Sequence, residues 1–429
     1  MKSIVMLVVA GTLLLVVFLG CQTTPAPAAT PVAKPTAAPA ETPSKPQAAV
    51  SPTAPAGVAG GATTPVPGAA PAVPASHQPI DQRTDCLACH QQDGFMPAPS
   101  NHAGRTNDTC TGCHQVTAAG TPPVVSLTSA KADQGPTVDG QIDEVWGKAK
   151  AATVHIAGGL NSSETDVSIK SVYTQDMVYF LVQYKDPTQS YKRRPWQKQA
   201  DGSWKQLGKG ERENTYYEDK FAMIWPIDSS IKGFETQGCA VTCHGTTAGR
   251  DQPLKYTNAP GELGDIWHAK FVRTLPVGQI DDQYLDDDQK AVEAGRKSDA
   301  RAGGGYANNT KEGQNTPPFA LPNNKPAPPY WIMDAEKVEF DDSQYQANDE
   351  VPGIVVAPFT GDRGDIGAMA VWNNGLWTVE WGRKLDTGSK TDVQFTDLAG
   401  AYYFGAAVFD NTQIGHGVQY GVTKFAFEQ

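Results

Sequence analysis

A chain of 429 residues with 39% hydrophobic content is long enough for two or more domains and apolar enough to bury a core, which excludes wholesale disorder. The formal charge of -11, with no Lys/Arg cluster interleaved with aromatics, argues against nucleic acid as a partner and suits association with a basic redox protein.

In chain order, Lys2, the apolar run Ile4 to Leu19, Gly20 and Cys21 read as an export signal, so the remainder of the chain is expected outside the cytoplasm. Phe18-Leu19-Gly20-Cys21 resembles a bacterial lipoprotein cleavage box, with Cys21 as the lipidation site. Phe18 stands where that box usually has Leu, and an uncleaved N-terminal anchor is the alternative; both tether the protein to a membrane. Residues 22–76 are almost wholly Ala, Pro, Thr, Val, Gly and Ser, without an aromatic. Such a segment cannot form a core and reads as a disordered linker, with a reach of about 170 Å if it were all polyproline.

Six of the seven cysteines then fall in three places, each closed by His: Cys86-Leu-Ala-Cys89-His90, Cys110-Thr-Gly-Cys113-His114 and Cys239-Ala-Val-Thr-Cys243-His244. Covalent haem attachment needs two thiols to meet two vinyl groups and a His directly behind them to reach the iron. The first two sites meet this requirement and sit in an internal repeat. Ser76-His77 precedes the first and Asn101-His102 the second, so His77 and His102 are assigned as distal ligands completing bis-His coordination. A zinc ribbon would use the same four thiolates but would explain neither the trailing nor the repeated upstream His. Disulfides leave the histidines equally unexplained, and Met96 reads as ordinary packing. Residues 77–120 hold few aliphatic side chains, so two porphyrins would supply the core of a small loop-rich dihaem module.

From residue 121 to 429 the pattern turns to β. Val167 to Tyr173 and Met177 to Tyr184 form one expected hairpin; Ala368 to Trp372 and Leu376 to Arg383 flank Asn373-Asn374-Gly375 as another. Tyr402 to Phe409 and Val418 to Phe427 add strands, Asp286 to Arg296 is the best helical stretch, and Arg301 to Pro329 reads as a long loop available to shield a haem or meet a partner. The whole is mainly β, a sandwich with long loops.

Asp139-Gly140-x-Ile142-Asp143-x-x-Trp146 and the hairpin after it resemble the opening of sandwich domains that include family 9 carbohydrate-binding modules and DOMON-like haem proteins. Tyr217 to Trp225, Gly238 to His244, Asp265 to Lys270 and Ala407 to Asn411 are more specifically similar to the cytochrome c-552/DMSO reductase-like haem-binding domain, which includes the γ subunit of ethylbenzene dehydrogenase. The resemblance spans roughly residues 125 to 427. It implies a haem held in the sandwich for electron transfer, non-covalent in the γ subunits with Met and Lys as axial ligands. This chain has Cys239, Cys243 and His244 instead, which points to a third covalent haem through a rarer Cys-x-x-x-Cys-His motif; a Cys239–Cys243 disulfide is the alternative. His244 is then the proximal ligand, and His268, Met223, Lys270 and His416 are the distal candidates, with His268 preferred. His155 reads as structural.

The function expected is a multihaem c-type cytochrome acting on redox protein partners at a membrane surface. The alternatives are the electron-transfer subunit of a molybdenum oxidoreductase, or a haem enzyme if one iron has an open site. No cysteine remains for an iron-sulfur centre, and no catalytic motif of the sequence's own is apparent.

Overall fold

The computed structural model describes residues 123–208, 210, 213–242, 256–288 and 296–429. The expected signal with Cys21, the linker, the dihaem module with His77, Cys86, Cys89, His90, His102, Cys110, Cys113 and His114, and the pair Cys243 and His244 lie outside the described residues. Among the described residues no helix is long and apolar enough to cross a membrane.

Thirteen described strands join in one hydrogen-bonded system: β1 (Val124–Lys131), β2 (Ala152–Ala157), β3 (Thr165–Tyr173), β4 (Met177–Lys185), β5 (Lys220–Pro226), β6 (Gly264–Lys270), β7 (Asp281–Leu285), β8 (Arg296–Ser298), β9 (Gly367–Asn373), β10 (Leu376–Lys384), β11 (Ala401–Phe409), β12 (Gly417–Gln419) and β13 (Val422–Phe427). The order β8-β7-β6-β5-β11-β12-β2-β3-β4-β10-β9 is bridged a second time, because β13 pairs with β11 and β1, and β1 with β3. The sheet therefore folds over on itself as a mainly β sandwich with long loops, as expected.

Both hairpins form in the expected register. Val172 faces Tyr179 across β3 and β4, and Asn373 faces Leu376 across β9 and β10. Asn374 and Gly375 both take positive φ, 51° and 81°, the demand of a two-residue turn that follows the strand twist.

The core lies between the layers. Phe180 of β4 stacks on Trp381 of β10 at 5.6 Å and meets Trp267 at 5.6 Å and Trp225 at 6.0 Å from the opposite layer. All four side chains are at most 1% exposed. Trp225 packs further against Phe404 at 4.6 Å.

The opening motif acquires a physical role. Trp146 donates its indole N–H to Glu380 Oε1 at 2.7 Å, and the Gly140 N–H reaches Oε2 of the same carboxylate at 2.8 Å. Gly140 takes φ +82°, and a Cβ there would stand 2.6 Å from Val371 Cγ2. The motif is thus a clasp on β10.

Three sequence expectations change. The strand expected from Val418 to Phe427 is two strands, parted at Tyr420-Gly421 where Gly421 takes φ +90°, which lets β12 and β13 pair with different neighbours. The segment Arg301 to Pro329 is not a plain loop: Gly303–Asn308 pairs with Ile354–Thr360, and Phe319–Ala320 with Val338–Glu339. Of the helix expected over Asp286 to Arg296, residues 289–295 lie outside the described residues, and its last residue, Arg296, begins the strand Arg296–Ser298.

Replacing Phe180 by Ala should cost about 3–5 kcal/mol of stability, the usual loss for a core aromatic. Urea unfolding followed by tryptophan fluorescence measures it, and a loss under about 1 kcal/mol would show that the layers do not depend on this contact.

Candidate functional site

Strand alternation sorts the side chains of β5, β6 and β11 onto two faces. Phe221, Met223 and Trp225, with Trp267 and Ala269, and with Phe404, Ala406 and Val408, turn into the core. Lys220, Ala222 and Ile224, with Ile266, His268 and Lys270, and with Gly405, Ala407 and Phe409, turn the other way. Cross-strand pairing aligns them in rows: Ile266–Ile224–Gly405, His268–Ala222–Ala407 and Lys270–Lys220–Phe409.

One end of this outer face seats Cys239. A four-residue helix, Phe234–Gln237, leads into a 3-10 turn, Gly238–Val241, laid over β11 and β13. Cys239, Ile224, Ile231, Phe234, Ile266, Leu285 and Val422 form a small apolar cluster there. The seat needs glycine twice. A Cβ on Gly238, which has φ +63°, would meet the Gly421 carbonyl oxygen at 2.0 Å, and one on Gly405 would stand 3.2 Å from Cys239 Cβ.

His268 lies on the same face, two strands and one row from Gly405, about 10 Å across and about 7 Å along the strands. Its ring is 5% exposed; Nδ1 lies 3.2 Å from Gln283 Oε1, and Nε2 has no hydrogen-bond partner. Because the Gln283 oxygen only accepts, Nδ1 carries the proton and Nε2 the lone pair. Burial, then Lys270, Lys220, Arg296 and Arg273, push the imidazole well below its ordinary pKa, so it is held neutral. A buried neutral imidazole with one nitrogen anchored and the other unpartnered is the arrangement of a metal-ligating histidine.

The structure separates the other distal candidates. Met223 pairs across the sheet with Trp267 and is 1% exposed, so its sulfur turns into the core, away from His268. Lys270 is committed elsewhere: its ammonium forms a buried ion pair with Asp281 and donates to Tyr306 Oη at 3.0 Å. Asp281, despite burial, is held well below the carboxylate range by Lys270 and by Arg363, whose Nε is 2.6 Å away. His416 is half-buried; Nδ1 lies 3.0 Å from the Ile414 carbonyl, and its ring packs on Phe409 at 4.5 Å. Phe409 stacks on His268 at 5.4 Å as well, so both imidazoles border one aromatic ring. His155 is exposed and paired with Asp166 at 2.8 Å.

Sequence reasoning missed Lys220. It is 2% exposed, donates to the Gln413 carbonyl at 2.9 Å, and lies 3.9 Å over the Phe409 ring. Burial first, then Arg273, push its amine well below the ordinary lysine range, the neighbouring Glu218 notwithstanding. Its place in an alternating strand was the available signal: Lys220 falls in register with Ala222 and Ile224, not with Phe221 and Met223. Glu218 is itself paired with Arg273, and burial, which would raise its carboxyl, is outweighed by the Arg273 and Arg193 guanidiniums.

One layer of this β-sandwich thus turns a buried imidazole, a buried lysine and a cysteine seat outward together. The chain belongs to the ethylbenzene dehydrogenase family, whose model matches residues 143–421. A search of the curated proteins finds no match. Among solved structures, a family 9 carbohydrate-binding module from Caldicellulosiruptor kristjanssonii in complex with cellotriose is 10% identical at a TM-score of 0.28, covering 71% of this chain and 95% of that one. A putative carbohydrate-binding protein from Bacteroides uniformis is 8% identical at a TM-score of 0.30, covering 71% of this chain and 99% of that one. Both are too distant to bear on function.

Replacing Lys270 by Met should destabilise the fold by less than the ~3–5 kcal/mol of a fully orphaned buried charge, because Arg363 still pairs with Asp281. Replacing Lys270 and Arg363 together should exceed the sum of the two single losses, which a double-mutant cycle in urea measures.

Proposed function

We propose that this protein is a membrane-tethered, multihaem c-type cytochrome that relays electrons outside the cytoplasm to redox protein partners. Two haems would be held by Cys86, Cys89 and His90 with Cys110, Cys113 and His114, and His77 and His102 would complete their coordination. A third would sit on the outer face of β5, β6 and β11, attached through Cys239 and Cys243, with His244 proximal and His268 distal. Bound haem supplies the reversible one-electron couple, and the protein sets its potential through ligand identity, burial and hydrogen bonding.

The observation that carries this reading is the unpartnered Nε2 of buried His268 on the face that also seats Cys239. Gln283 fixes the tautomer and ring plane, and the surrounding cations disfavour protonation, so the lone pair stays available. Ala222, Ala407 and Gly405 keep the intervening floor low.

Intact mass of the acid-denatured protein with its pyridine haemochrome spectrum is the first test. Three covalent haems with purely c-type absorption are expected; two would return Cys239 and Cys243 to a disulfide or a non-covalent haem pocket, and none would sink the reading. Replacing His268 by Ala should leave the number of attached haems unchanged and open one coordination position, so that the reduced variant binds carbon monoxide where the parent does not. An unaltered carbon monoxide response would remove His268 from the ligand set.

Family membership supports a second reading, in which the chain is the electron-transfer subunit of a molybdenum oxidoreductase. Affinity isolation from native membranes with elemental analysis distinguishes the two: stoichiometric molybdenum in a co-purifying subunit favours the subunit reading, and its absence the independent relay.

A further inference from the structure

At the opposite face of β6, four buried carboxylates meet with too few donors. Asp265 of β6, Asp282 of β7 and Asp392 of the β10–β11 connection bring one oxygen each within 4.8 Å of one another. Asp299, just beyond β8, is 4% exposed and has Thr391 and Asp392 as polar neighbours, though neither of its oxygens has a well-aligned hydrogen bond. Both oxygens of Asp282, Asp265 Oδ1 and Asp392 Oδ1 are likewise without partners. Arg383, the cation that pairs with the cluster among the described residues, reaches Asp392 at 3.2 Å and Asp265 at 3.6 Å. These four carboxylates, with Asp365 beside Asp282, face one guanidinium and leave a buried negative excess that protein interiors do not tolerate uncompensated.

A second acidic cluster, Asp186, Asp219 and Asp410, is held more fully by backbone donors, although Asp186 Oδ2 has no partner. There Asp219 accepts from Asn411 N at 2.9 Å and Ser190 N at 2.7 Å, Asp186 from Thr188 N at 3.0 Å, and Asp410 from Ser162 N at 2.7 Å. That cluster leaves one buried carboxylate oxygen without a partner, where Asp265, Asp282 and Asp392 together leave four.

We propose that Asp265, Asp282, Asp299 and Asp392 bind one calcium ion that staples the β10–β11 connection to the edge strands β6, β7 and β8. The donors are all hard oxygens, with no nitrogen or sulfur ligand, and all four residues are buried. Calcium accepts such irregular carboxylate sets, whereas magnesium demands octahedral geometry and keeps its waters. The connection already touches β6 through Val393 N to Asp265 Oδ2 at 2.9 Å, and Asp299 N donates to the Asp282 carbonyl at 3.2 Å. The ion would therefore stiffen, from behind, the strand that presents His268.

The test uses the full chain with its haems as isolated, stripped with a chelator and then titrated with calcium, magnesium or terbium. One equivalent of calcium should bind and raise the melting temperature, and bound terbium should luminesce through the nearby Trp267. Asp282→Asn, or Asp299→Asn should the first variant fold poorly, should weaken calcium binding on the order of a hundred-fold. Asp219→Asn, in the second cluster, should leave calcium binding unchanged. Loss of calcium binding in Asp219→Asn alone, preference for magnesium, or a melting temperature indifferent to calcium together with stabilisation by Asp282→Asn would overturn the proposal, the last in favour of a proton-sharing cluster.

Discussion

The packing of Trp225, Trp267, Phe180 and Trp381 between the two layers is the constraint on which the rest depends. A one-residue slip in β5 or β6 would bring Lys220 or His268 into that core and expel a tryptophan, so the register is fixed by the cost of burying charge and exposing indole. Once it is fixed, Lys220, His268 and Lys270 must face outward together, while Asp265 takes the opposite face. The apparatus on the outer face is thus a by-product of how the core is laminated.

That outer face is still largely buried, and it solves its charge problem unevenly. Lys270, Asp281, Arg363 and Tyr306 form a closed ionic network, as do Glu218 and Arg273. Lys220 and His268 are left with neutral partners, a carbonyl and an amide oxygen. Burial without a direct counter-ion pushes such groups toward their neutral forms, and a nitrogen with a free lone pair is chemically useful where a salt bridge is not. The same logic with opposite sign applies behind β6, where carboxylates outnumber cations.

Glycine sets the geometry around Cys239. Gly238 and Gly421 let a turn and a strand break approach within distances that any side chain would forbid, and Gly405 lets Cys239 sit close on β11. Gly421 also divides the last β segment so that β12 and β13 serve different neighbours. A single residue therefore shapes both the topology and the Cys239 seat.

The sequence by itself determined much of this. Alternation and the Asn374-Gly375 turn placed both hairpins, because those signals are local; the spaced motifs from Asp139 to Asn411 carried the family; and Trp267-His268-x-Lys270 drew attention to β6. Tertiary structure decided the rest. Which of His268, Met223 and Lys270 presents an unpartnered atom depends on cross-strand partners such as Gln283 and Asp281, which lie on another strand and follow no local spacing. Lys220 passed unnoticed because a lysine becomes special only through what surrounds it. The meeting of Asp265, Asp282, Asp299 and Asp392 is a matter of sheet order alone, since over a hundred residues separate the first from the last. Periodicity along the chain reports which face a side chain takes, but charge balance is settled between segments, where only the folded arrangement brings the charges together.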